Sequence, residues 1–181
     1  MNILYLINGL GFSHNTGIGG SDKRAVEVIR NIKNIDPSHN LDILTTDSGH
    51  KLFTTSEKLK TKYYVIKKPF LWPDFINKYL VGRVLSYFYA CVTSKFKVRK
   101  VKQYDIYFAT SDFFFDVIPG WFFKTIYRKK LICMIHHYIK SPRERGGFSV
   151  INLFMYLSQR FSFWLILKAA DAIFFYDTEE G

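Results

Sequence analysis

Two periods alternate along the 181-residue chain. Ile3, Leu4, Tyr5, Leu6 and Ile7 form an unbroken apolar run, which reads as a strand covered on both faces, as in a parallel sheet. Ala25, Val26, Ile29 and Ile32 then recur at helical spacing and define one face of an amphipathic helix. The alternation continues: strands are predicted at 41–45, 63–66, 105–110, 131–135 and 172–175, with helices at 52–59, 74–96, 113–127 and 150–169. Asp36-Pro37-Ser38 separates the first helix from the second strand, 46–50 reads as a polar loop, and Pro69 and Pro73 bracket a turn. Pro119-Gly120 predicts a split or kink in the helix that contains it. Helix follows strand throughout. That pattern predicts one α/β domain over 1–181, a Rossmann-like doubly wound parallel sheet with helices on both faces.

Composition adds a core and a charge to this picture. Hydrophobic residues make up 48% of the chain, which excludes a disordered segment and suffices for a core at this length. Aromatics reach 18%, enough to predict an exposed apolar face as well as a core. Lys and Arg number 26 against 15 Asp and Glu, so the net charge of +11 predicts a negatively charged partner. Nucleic acid has only that charge in its favour, since no RRM, KH or helix-turn-helix signature occurs. Cys91 and Cys133 lie in apolar runs and read as reduced core thiols, which favours a cytoplasmic setting. The first apolar run has no cations before it and stops at Asn8, so no targeting segment is expected. Arg83 interrupts the apolar stretch at 79–92, and Lys168 and Asp171 interrupt that at 161–176. Neither offers the ~18 uninterrupted apolar residues of a membrane span, so a soluble or peripheral protein is expected.

Candidate chemistry begins at Gly17-Ile18-Gly19-Gly20-Ser21-Asp22-Lys23-Arg24, between the first strand and the first helix. Ser21 stands where an N-cap belongs, and Asp22 places a negative charge at the dipole's positive end. Free backbone N–H groups with no β-carbons nearby make an anion cradle suited to phosphate. The plainer reading is that Gly19 and Gly20 only let the chain turn. A dinucleotide fingerprint is broken at Gly9-Leu10-Gly11-Phe12-Ser13-His14, where the third glycine is missing. In a doubly wound sheet, ligands sit beyond the carboxyl ends of the strands. That edge is predicted to collect the glycine loop, 47–50, Ser111, Asp112, His136, His137, Asp177 and Thr178. Asp112 also reads as a helix N-cap, and His136 as a satisfied histidine at a strand end. No C-x-x-C, H-E-x-x-H, EF-hand, G-x-S-x-G or Walker pattern occurs, so metal, hydrolase and P-loop chemistries lack a motif.

Asn2-Ile3-Leu4-Tyr5-Leu6 followed by Gly19-Gly20-Ser21-Asp22-Lys23-Arg24 resembles the opening of GT-B glycosyltransferases of the GT4 type. Ser111-Asp112-Phe113-Phe114, Asp116-Val117-Ile118-Pro119, Met134-Ile135-His136-His137 and Ala169-Ala170-Asp171-Ala172-Ile173 extend the resemblance in the same order. It implies the acceptor-binding half of an enzyme with two Rossmann-like domains, retaining anomeric configuration and needing no metal or other cofactor. Gly19 and Gly20 would face the diphosphate of a nucleotide-sugar donor, and His136 would lie beside the transferring sugar through its ring or its carbonyl. Asp22, Arg24, Ser111, Asp112 and His137 would line the acceptor side. The glutamate pair of the donor domain has no counterpart before Gly181, so that C-terminal domain is expected in cis or in trans from outside this chain.

Cations cluster at 95–102, 124–130 and 140–145, the last including Lys140, Arg143 and Arg145, with Trp121, Phe122, Phe123, Tyr138 and Phe148 between them. Cations with aromatic anchors suit an anionic membrane surface, where lipid-linked acceptors reside. A solvated charged surface is the alternative. Two functions are therefore expected: a glycosyltransferase half acting on a lipid-linked or polysaccharide acceptor, or a non-catalytic Rossmann-like module that docks on an anionic membrane or a partner chain.

Overall fold

The computed structural model describes residues 1–9, 20–55, 61–69, 79–98, 101–136, 138–144 and 149–175. Six strands, β1 (Asn2–Ile7), β2 (Asn40–Thr46), β3 (Tyr63–Ile66), β4 (Ile106–Ala109), β5 (Lys130–Ile135) and β6 (Ala172–Phe175), form one sheet in the order β3-β2-β1-β4-β5-β6. Every pairing is parallel, with Leu4 opposite Asp42 on one side and Tyr107 on the other. The helices between them are α1 (Gly20–Ile35), α2 (Asp47–Thr55), α3 (Leu80–Lys97), α4 (Phe114–Tyr127) and α5 (Val150–Ala169). The fold is the expected Rossmann-like doubly wound sheet.

Strand alternation divides the interior into two layers. Leu4 and Leu6 of β1 point to one face, where they join Ala90 of α3, Val117 and Phe123 of α4, and Leu165 and Ile166 of α5. Ile3, Tyr5 and Ile7 point to the other, against Ala25, Val26 and Ile29 of α1 and Phe53 of α2. Both cysteines are buried and free, and burial pushes the thiols of Cys91 and Cys133 up to about 12.

Three boundaries differ from the expectation. Residues 47–50 are not a loop: β2 runs straight into α2, and Thr46 Oγ1 accepts from Gly49 N at 3.4 Å, so a threonine at the strand's end serves as the cap. α1 begins at Gly20, so Ser21 stands inside the helix rather than at its N-cap. α4 passes through Pro119 without a break. The carbonyl that proline deprives of an N–H is that of Phe115, four residues earlier, and Asn8 Nδ2 donates to it at 2.9 Å. Gly120 lets this helix lie close to the sheet, since a Cβ there would stand 2.7 Å from Leu131 Cδ1 and 3.2 Å from Leu6 Cδ1.

Candidate functional site

With this strand order, the connections diverge at the β1–β4 boundary, the place beyond the carboxyl ends of the strands where sheets of this kind receive ligands. The edge is built from buried polar groups. β1 ends in Asn8, whose backbone N–H donates to Asp116 Oδ1 at 2.6 Å while its side chain reaches Phe115 O and, at 3.3 Å, Ser94 Oγ. Ser111 Oγ donates to the other oxygen of Asp116 at 2.6 Å. One carboxylate in the first turn of α4 thus ties the end of β1 to the end of β4. Asn8 Oδ1 is buried and meets no donor among the described residues. A polar group left that way is costly, so it marks an acceptor position at the switch point.

A second cluster joins β4, β5 and α5. Asp112, fully buried, accepts from His136 N at 3.4 Å through Oδ1 and from the Gln159 side chain through Oδ2. Gln159 in turn accepts from Ile139 N at 2.8 Å, which fastens the segment after β5 onto α5. His136 Nε2 stands 2.6 Å from the Thr110 carbonyl. A carbonyl only accepts, so Nε2 carries the proton of this contact. The His136 residue is 2% exposed, and its ring is packed within the rim. Thr110 Oγ1 donates to Leu6 O at 2.9 Å, and Thr45 Oγ1 to Ile7 O at 2.7 Å, so the hydroxyls at the ends of β2 and β4 close on β1. Asp47 Oδ2, directly after β2, accepts from Lys68 N at 3.0 Å and so ties the segment after β3 to the end of β2.

Ser111, Asp112 and His136 therefore come together as expected, but their polar groups hold one another and the strand ends. Asp112 does not cap α4: the N-cap is Phe113, with no side-chain bond, and the Asp112 carboxylate turns toward β5 and α5. Gly20 opens α1, and Arg24 lies half-buried in that helix. Lys140 and Arg143 are exposed beyond β5. Gly19, His137, Arg145, Asp177 and Thr178 lie outside the described residues, as does the side chain of Asp22. Sequence reasoning passed over Asn8 as a mere strand end, and it missed Thr110 and Gln159. A polar residue beside an apolar run, and one glutamine in an otherwise apolar helix, were the available signals.

Chemically, the described rim is a preorganised scaffold. Its carboxylates are spent on backbone and side-chain donors, and among the described residues no group of three His, Cys, Asp or Glu side chains is placed to hold a metal. What it offers a ligand is backbone held in place, the Asn8 Oδ1 acceptor, which meets no donor among the described residues, and the opening turn of α1. The sequence matches no protein-family model and no curated protein.

Proposed function

We propose that the chain is the acceptor-binding half of a retaining glycosyltransferase of GT-B architecture, with a second Rossmann-like domain supplying the nucleotide-sugar site in cis or in trans. The observation that carries this reading is the β3-β2-β1-β4-β5-β6 order, with its switch point at Asn8 and Thr110. Of the segments that resemble the family, the start of α1, Ser111-Asp112 and His136 belong to the strand ends of that one edge, while Ala169 to Ile173 lies at the start of β6 on the opposite edge. In the reaction, the acceptor hydroxyl oxygen replaces the diphosphate oxygen on the anomeric carbon, and the nucleotide diphosphate leaves with the added negative charge. Backbone N–H groups at Gly19 and Gly20 would stabilise that charge. No cofactor is assigned. The acceptor is a glycan or lipid-linked glycan of the kind assembled at the cytoplasmic face of a membrane.

The buried ring of His136 narrows its role: contact with the sugar would come from its backbone, or from a ring that first leaves the Thr110 carbonyl. The same burial favours the second reading, a binding module without catalysis. Steady-state kinetics on the two-domain enzyme separates them. Gly20→Val places a branched side chain against the diphosphate and should lower kcat/KM by about 100-fold, the scale of losing one well-placed donor, with circular dichroism unchanged. Wild-type turnover in folded Gly20→Val would remove the cradle. Absence of transfer by any combination of domains would leave the binding module.

A further inference from the structure

The two sides of the sheet carry helices of different outer character. α1 is conventional: it buries Ala25, Val26 and Ile29 and turns Lys23, Glu27 and Arg30 outward. α3 and α5, on the opposite side, are apolar outward as well as inward. On α5, Leu165 and Ile166 pack on the sheet, while Val150, Leu153, Leu157, Phe161, Trp164 and Leu167 recur at helical spacing on the exposed side, each 41–78% accessible. On α3, Val81, Leu85, Phe88, Val92 and Phe96 repeat the pattern at 48–78%. Rows of this length exceed the scattered apolar residues normal on a soluble surface.

Charge says what covers them. The sequences of α3, α4 and α5 contain a single carboxylate, Asp116, and it is buried beneath the rim. Among the described residues, the charged side chains that the three helices themselves turn outward are cations; beside them the half-exposed Asp171 carboxylate, directly before β6, is paired with Lys124 of α4 at 2.7 Å. Lys168 Nζ lies 4.2 Å from the Trp164 ring centroid, Arg160 lies 4.7 Å from that of Tyr138, and Lys95 lies 4.2 Å from that of Phe122. In each the charged group itself sits over an aromatic ring, a pairing of cation and aromatic that suits a membrane interface. A protein partner with an apolar face would not call for three helices that carry no exposed carboxylate of their own; an anionic lipid surface does. α5 is long and apolar enough to cross a bilayer, yet Gln159 and Ser162 face the interior and Gln159 holds Asp112, so it is placed to lie along the surface rather than through it.

We infer that the α3–α4–α5 layer docks on an anionic lipid bilayer, with the outer rows of α3 and α5 inserted among the headgroups and acyl chains. The inference rests on the lipid-acceptor reading above only for its purpose; the exposed rows and the missing carboxylates stand without it. Attachment by insertion differs from attachment by charge alone, which high salt would abolish.

The test is sedimentation of the 181-residue chain with vesicles of phosphatidylcholine, with and without phosphatidylglycerol. Wild type should bind the anionic vesicles more tightly than the neutral ones and stay partly bound at 1 M salt, where screening shortens to about 3 Å. Brominated acyl chains should quench the fluorescence of a Trp72→Phe/Trp121→Phe variant, in which Trp164 is the remaining tryptophan. Leu157→Glu/Leu167→Glu should weaken binding by at least about 10-fold, since each leucine loses much of its apolar transfer. Ile35→Glu, an exposed site on α1, should leave binding unchanged. Because no sugar donor is present, a failure of transferase activity does not affect the result. Three outcomes overturn the inference: no binding to anionic vesicles, complete release by salt without quenching, or a lipid-free dimer that Leu157→Glu/Leu167→Glu dissolves while vesicles remain unbound.

Discussion

Asn8→Ala probes the link between the fold and the rim, because its cost depends on a proline 111 positions away. The substitution removes the Nδ2 donor from Phe115 O, a carbonyl that Pro119 has already deprived of its helical partner. A buried carbonyl left unsatisfied costs about 1–3 kcal/mol. Other losses are small. The backbone bond from Asn8 N to Asp116 survives, and Ser94 Oγ keeps its 2.7 Å bond to Ala90 O. Removing Oδ1, which meets no donor among the described residues, relieves part of its own burial cost, so the net loss should be about 2 kcal/mol. In a Pro119→Ala background the new N–H at position 119 can satisfy Phe115 O, and the same Asn8→Ala change should cost about 1 kcal/mol less. Urea unfolding of the four proteins in the double-mutant cycle measures that coupling. Equal costs of Asn8→Ala in the two backgrounds would show that Asn8 does not repair the helix, and the account of an unbroken α4 would fall.

Two further outcomes are expected. Arg128 ends α4 at φ 52° and ψ 42°, a left-handed conformation that costs a β-carbon-bearing residue about 1–2 kcal/mol, so Arg128→Gly should raise the thermal midpoint by about 2–4 °C; a lower midpoint in calorimetry would contradict this. Burial raises the Asp171 carboxyl, but hydrogen bonds from Lys124 and from Leu131 N, with the lysine charges nearby, hold it net below the usual carboxylate range. A depressed folded-state value adds stability above the unfolded pKa that is lost as pH falls through the folded one. Asp171 is 41% exposed, so Asp171→Asn should cost only about 0.5–1 kcal/mol at pH 7, with the deficit shrinking below about pH 4; a deficit that grows in acid would reverse the sign of the argument.

The sequence alone determined the sheet. Six apolar runs separated by helical periods left little choice but a parallel α/β fold, because strands buried on both faces require helical crossovers. Ile3 to Ile7 and the α1 stripe were legible for that reason: each pattern is local, and burial on a known period is all it needs. Ser111, Asp112 and His136 were legible as a group because topology brings every strand end to one edge.

Only the tertiary structure decided what those residues do there. Asp112 looked like a cap, but the donors it meets, His136 N and Gln159, lie 24 and 47 residues further along, and no local pattern reports a partner at that separation. Pro119 signalled a break because the rule for proline counts only the helix's own donors, whereas the donor that matters comes from the end of β1. α5 is the plainest case. A helix apolar all round has no period to show which side is buried, so its sequence was equally consistent with a core helix and with one that keeps an exposed apolar row. The sheet under Leu165 and Ile166 decided which side faces in, and so exposed the row of Leu157, Phe161 and Trp164.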